Sequence, residues 1–320
     1  MESRPILLLF IFLLLEIGSL AFAGEVQWIA SFGHPGKEPG ELNGPYDVAV
    51  GQDGALYITD ANNHRVQKWD REGKPLLVIG NEGQGEGEFE KPTSVAIAPD
   101  GSLYISDYFL DRIAKFTPYG KFLLQWGKNG KGEGEFDSPS GIAIDSKGNV
   151  YVIDTYNHRV QKFTSDGTFL LQWGGQEKVN NIRSALNFFW DEGLEGKFYF
   201  PAKIAAGPND EIYVSDSYNN RVQVFSPDGT FLRKWGGMGL WGGRFRVSSD
   251  IAFDPNGNVY VADFYNHRVE KFDPQGKSLE QFGSKGEKQG EFNGPTGLAI
   301  DADGFIYVTD FHNARIQKFR

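Results

Sequence analysis

The chain has no cysteine in its 320 residues, which excludes a disulfide framework, a Cys-ligated zinc site and a thiol nucleophile. Positive charge is in short supply. Lys and Arg number 32 against 42 Asp and Glu, for a net charge of −10. Nucleic-acid binding needs a concentrated Lys/Arg field, so no nucleic-acid partner is expected. Histidines number only five, and neither a histidine cluster nor a Ser–His–Asp set is legible. The longest apolar run, Ile6–Leu15, is ten residues, half of the roughly 20 that a membrane-spanning helix requires. What the chain does have is 41 Gly, 26 Phe, 13 Tyr and 7 Trp, a composition of turns and strands in a globular chain.

Residues 1–23 stand apart. Arg4 precedes the apolar run, and Ala21-Phe22-Ala23 offers small residues where a signal peptidase reads. The expectation is a cleavable signal peptide with cleavage after Ala23, and a domain over residues 24–320 in the periplasm or secreted. An uncleaved amino-terminal anchor is the alternative. No membrane span is expected once the leader is removed.

The remainder repeats. The phrase Asp-x-x-Asn-x-Arg-Val-x-x-Phe, with variations, places Asp at Asp60, Asp107, Asp154, Asp216, Asp263 and Asp310. Its Arg falls at Arg65, Arg112, Arg159, Arg221, Arg268 and Arg315, and a Tyr precedes each Asp by three. Four of the spacings are 47 residues; the one between Asp154 and Asp216 is 62. Each unit reads as four strands, a to d. In the third they are Gly141–Asp145, Asn149–Asp154, Arg159–Phe163 and Thr168–Trp173, with β-branched and aromatic residues alternating. Gly-containing turns join a to b and c to d.

Six such units predict an all-β, six-bladed β-propeller. The termini support a closed ring over an open solenoid. The last unit stops after its strand c, while residues 26–33 read as an orphan strand d. Pairing the two completes blade six and hides sheet edges.

Asn63–Trp69, Asn157–Phe163 and Asn266–Phe272, with their Asn-His-Arg-Val cores, resemble the NHL repeat, of the exported bacterial type. The resemblance covers essentially the whole chain after the leader. It implies a propeller that serves as a binding platform, a sensor domain or, in one branch, a metal-dependent lyase. No RING, B-box or kinase segment accompanies the repeats, so a ligase or kinase role does not carry over.

The six Asp/Arg pairs are expected to be structural, fixing the loops of each blade. His64, His158 and His267 start strand c in alternate blades. At that distance from the axis, about 10 Å for strands about 4.8 Å apart, they cannot share a metal. The b–c and d–a loops emerge on one face, termed the top. There the copies differ, and Tyr46, Tyr108, Phe109, Tyr156, Tyr218, Phe264, Tyr265, Phe311 and His312 form a candidate ligand-binding ring. At the start of strand a, Asp47, Lys203 and Asp250 replace small residues. Either Asp47 and Asp250 hold a divalent cation such as Ca²⁺, or Lys203 pairs with Asp250 while Asp47 stays solvated. The long spacing places an insertion within residues 176–200, whose Phe188, Phe189 and Trp190 are lid candidates.

The residues together favour a monomeric, non-catalytic module that binds a protein, peptide or glycan on the top face, with no cofactor. The alternative is a metal-dependent lyase or lactonase with its site at the top of the channel.

Overall fold

The alternation of branched and aromatic residues produces strands where it predicts them. In the third repeat these are Pro139–Ile144, Val150–Asp154, Arg159–Phe163 and Phe169–Gly174, paired antiparallel in chain order. Strand a begins before its apolar pattern does, because Pro139 pairs with Asp154 across a register shift. Val150–Asp154 is buried at every position, as a strand covered on both faces must be. Gly167 closes the c–d turn at φ +86°, a conformation that glycine adopts without steric cost.

The structure is a computed structural model and describes residues 26–179 and 194–320. The leader and the lid candidates Phe188, Phe189 and Trp190 lie outside the described residues. The described chain forms six four-stranded antiparallel sheets, and the first strands of successive blades meet around a central axis. The predicted closure is present. Trp28–Phe32 pairs antiparallel with Arg315–Phe319, Trp28 opposite Phe319 and Phe32 opposite Ile316. Gln27 and Arg320 exchange backbone hydrogen bonds of 2.7 and 2.9 Å beyond the strand ends.

Six hydrophobic clusters hold the ring, one between each neighbouring pair of blades. Each receives the residue that ends the loop leading into a blade. These are Leu42, Phe89, Phe136, Phe198, Phe245 and Phe292, all fully buried. Burying one such side chain is worth about 1.5–3 kcal/mol. The Tyr of each repeat is buried as well; Tyr104, Tyr151 and Tyr213 meet Trp126, Trp173 and Trp235 edge-on.

The Asp/Arg pairs fasten those loops. Asp154 accepts the Asp137 N–H at 2.8 Å and the Arg159 Nε at 2.7 Å. Arg159 in turn donates to the carbonyls of Lys131, Gly132 and Glu135. Five of the six pairs are ion pairs of 2.7–3.1 Å. Blade two departs from the expectation. The Arg112 Nε is buried without a partner among the described residues, and Asp107 instead accepts the N–H groups of Glu90, Lys91, Phe109 and Leu110. In blade three, Asn157 and Gln161 donate to the carboxylate oxygen that takes the Arg. Blade two has Leu110 and Ala114 at those positions, so nothing orients its carboxylate toward Arg112.

Candidate functional site

The b–c loops reverse the chain within a few residues by placing one residue in the left-handed region. His64, Asp111, His158, Asn220, His267 and Ala314 do this, at φ +49° to +57°. All of these side chains except that of Ala314 reach to the next blade. The His158 Nδ1 accepts the Phe200 N–H at 3.0 Å, the His267 Nδ1 accepts that of Gly294 at 3.1 Å, and Asp111 accepts that of Ser138 at 2.7 Å. Burial lowers the pKa of His158 and His267 below the usual imidazole range, which keeps Nδ1 available as an acceptor. The alternating histidines therefore link blades.

This bracing holds the top-face aromatics in place. From Phe109 an edge-to-face series runs through Tyr108, Tyr156, Phe200 and Tyr218, with centroids 5.2–6.4 Å apart. A second series joins Tyr265, Phe264, His312, Phe311 and Tyr46 at 4.8–6.1 Å. Phe109, Tyr156, Tyr218 and Tyr265 are exposed by about half, and His312 is also exposed. Tyr46, Tyr108, Phe264 and Phe311 are half-buried. The two series differ in what they enclose. Tyr46, Tyr218, Phe264, Tyr265 and Phe311 line a top-face cavity of 230 Å³, completed by Ala202, Ser217, Val247, Ser249 and Thr296. Tyr108, Phe109, Tyr156 and His312 lie outside its wall.

One residue further along the inner strands the lining changes from aromatic to charged. Asp47, Ser94, Lys203 and Asp250 head a separate channel cavity of 260 Å³, with no lining residue in common with the upper one. The expected charge pairing is reversed here. Lys203 binds Asp47, not Asp250, at 2.5 Å, and both are buried. Blades one and four are opposite in a ring of six, so this ion pair crosses the axis. Asp47 is only 4 % exposed rather than solvated, because its carboxylate also accepts the Ser94 hydroxyl at 2.8 Å and the Val95 N–H at 3.0 Å. Asp250 accepts the N–H groups of Ile251 and Leu298 at 2.8 and 2.7 Å.

Burial works against the charge of Lys203, but Asp47 and then Asp250 outweigh it, and the lysine pKa is raised. Burial pushes Asp250 up to about 7, with Lys203 opposing and Asp47 reinforcing the shift. Tyr46 lies between the two cavities, within reach of the fields of Lys203, Asp47 and Asp250; burial raises its phenol above the ordinary range. The ammonium of Lys203 thus supplies beside Asp47 the positive charge that a divalent cation would bring. Among the described residues, no three His, Asp or Glu side chains converge as a metal site.

Phe200, beside the cavity, and several residues that line it were not among the sequence candidates. Phe200 bridges Tyr156 and Tyr218. It occupies, at φ +47°, the position before proline that Gly44 and Gly294 hold in blades one and six. Aligning the repeats on that proline would have found it. Ser249 and Thr296 share their strand position with Thr93 and Ser140 of blades two and three, so the same alignment would have found them; Ser217 follows the repeat Asp, where the copies differ.

Residues 42–69, 136–163, 198–225, 249–272 and 292–319 match the NHL repeat. The blade without a match is blade two, the one whose Asp/Arg network is altered. No curated protein matches the chain. Solved structures do. A virginiamycin B lyase from Staphylococcus aureus superposes with a TM-score of 0.61 at 14% identity, over 92% of this chain and 99% of that one. A Bacteroides thetaiotaomicron protein of unknown function gives 0.68 at 16%, over 92% and 75%. A gluconolactonase from Xanthomonas campestris gives 0.64 at 14%, over 87% of each. At such identities the likeness is one of fold, and a propeller fold carries no particular chemistry.

Proposed function

This chain is a six-bladed NHL-repeat propeller, and from that premise we propose that it is a non-catalytic capture module, exported by its leader, that holds a segment of a protein, peptide or glycan on its top face. The observation that carries this reading is the aromatic cavity of 230 Å³ seated on the buried Lys203–Asp47 pair. Aromatic side chains give contact area with little loss of conformational freedom, and a preformed concave site lowers the entropic cost of binding. The acidic groups that a lyase or lactonase metal would require are already engaged, Asp47 by Lys203 and Asp250 by two backbone N–H groups.

The test is binding to peptide and glycan arrays by the chain from Gly24 to Arg320 and by its Tyr218→Ala/Tyr265→Ala variant. Both residues are about half exposed, so the variant should melt with the parent. Capture that the variant loses supports the site; capture that it retains places the ligand elsewhere. Export predicts a mature amino terminus at Gly24, read by intact mass of the protein recovered from the cell envelope or medium. A chain retaining residues 1–23 there would make the leader an anchor instead.

A further inference from the structure

The upper cavity is selective in what it presents. Five aromatic rings form half of its described lining, and among the described residues no Lys, Arg, Asp or Glu lines it. The protons of its three aliphatic hydroxyls are turned to the protein, while the phenols of Tyr46, Tyr218 and Tyr265 also belong to the wall. The Ser217 Oγ donates to the Ser248 carbonyl at 2.6 Å, the Ser249 Oγ to the Pro295 carbonyl at 2.7 Å, and the Thr296 Oγ1 to the Pro45 carbonyl at 3.3 Å. A hydroxyl whose proton is so engaged has only lone pairs to offer. The faces of aromatic rings are negative as well. Under this wall lie two carboxylates and one ammonium, Asp47, Asp250 and Lys203, which sum to one excess negative charge only above the range in which Asp250, pushed up to about 7 by burial, gives up its proton. The whole chain, at −10, adds a long-range field of the same sign.

We infer that the cavity is a cage for an organic cation, the ammonium or guanidinium of a lysine or arginine side chain in a partner segment. The inference rests on the capture reading above and specifies its ligand. Rings of the same loops already attract cations from the chain itself. Lys91 lies 5.2 Å from the Phe109 centroid and Arg246 6.0 Å from that of Tyr265, the outer limit of such contacts at about 6 Å. A partner's side chain fits better than a small free cation for one reason. The aromatic series continues past the cavity from Tyr218 through Phe200 and Tyr156 to Phe109, giving flanking residues a surface to lie on. A free quaternary ammonium would have no use for that extension.

The experiment uses the chain from Gly24 to Arg320 and five-residue peptides with a central arginine, lysine, citrulline, norleucine or glutamate, plus choline, with binding read by titration calorimetry and protein NMR shifts. Citrulline keeps the shape of arginine without its charge. The expected result is binding of the arginine and lysine peptides, with citrulline and norleucine weaker by about tenfold or more, as a desolvated cation–π contact implies. Phe311→Leu and Tyr265→Leu should each erase the preference for charge while leaving the melting curve in place. Equal binding of citrulline or norleucine, preference for glutamate, or no shift from either cationic peptide at millimolar concentration would overturn the inference. So would binding of choline alone, which would mark a small-molecule site. Two failures can be told apart. Array ligands of another charge that still depend on Tyr218 and Tyr265 would sink the cation cage and keep the capture site, whereas independence from those residues would sink both.

Discussion

Lys203 and Asp47 show what a single substitution does at the axis. Their side chains are 3 % and 6 % exposed, so removing one leaves the other as an uncompensated buried charge. Lys203→Met is expected to destabilise the propeller by about 3–5 kcal/mol, measured by urea unfolding. A loss below about 1 kcal/mol would mean that water reaches the pair and screens it. Asp250 makes a second prediction, with a defined sign. Its carboxyl is harder to ionise in the folded chain, with a pKa of about 7 against 3.8 for the free group. The folded state therefore keeps a proton that the unfolded state has lost across that window, and stability falls as pH rises through it. Asp250→Asn removes this contribution. The melting temperature of the variant, relative to the parent, should therefore climb from pH 5 to pH 8, whatever its absolute value. A constant difference would show that Asp250 is already ionised at pH 5.

At the level of the element, blade two serves as an internal control for the repeat. The other five blades tie Asp to Arg directly, while blade two leaves the Arg112 Nε without a partner among the described residues. Leu110→Asn with Ala114→Gln supplies the missing donors and should draw the Asp107 carboxylate toward Arg112. The gain expected is about 0.5–1.5 kcal/mol, the net worth of a hydrogen bond, read as a rise in the melting temperature. A decrease would mean that the Leu110 side chain contributes more to packing than the restored network returns. The strands themselves were legible from β-branched alternation and Gly turns. The ends of strand a were less so, because a register shift at its start carries no side-chain pattern. The aromatic ring was legible as variation between copies. Its division into a cavity wall and an outer series was not, because both kinds of residue occupy the same positions of the repeat.

For the whole molecule the decisive contact is the pairing of Trp28–Phe32 with Arg315–Phe319. A ring of six wedges has no spare interface, and the pairing joins the two ends of the chain through hydrogen bonds and the cluster containing Trp28, Phe282 and Phe319. A chain beginning at Gly33 would expose the edge of Arg315–Phe319 and unseat that cluster. It is expected to lose cooperative unfolding or to associate through the open edge, a result visible by size-exclusion chromatography and calorimetry. A truncated chain that stays monomeric and melts with the parent would show that five complete blades and a partial sixth suffice. The same closure underlies the site, because the cavity wall draws on both ends of the ring: Tyr46 from blade one and Thr296 and Phe311 from blade six.

The amino-acid sequence by itself determined the number of blades, their four strands, the permuted closure and the structural use of the Asp/Arg and histidine positions. The first two and the Asp/Arg and histidine positions are written as a period, and a period describes contacts within a blade or between neighbours, which recur around most of the ring; the closure follows from which strands the first and last units lack. Only the tertiary structure decided that Lys203 meets Asp47 and not Asp250, that Asp47 is buried, and that Phe200 extends the aromatic surface beside a cavity whose three aliphatic hydroxyls donate to backbone carbonyls. Those contacts cross the axis or join unlike positions of different copies. They depend on where six wedges bring their tips, a distance that no repeat spacing encodes.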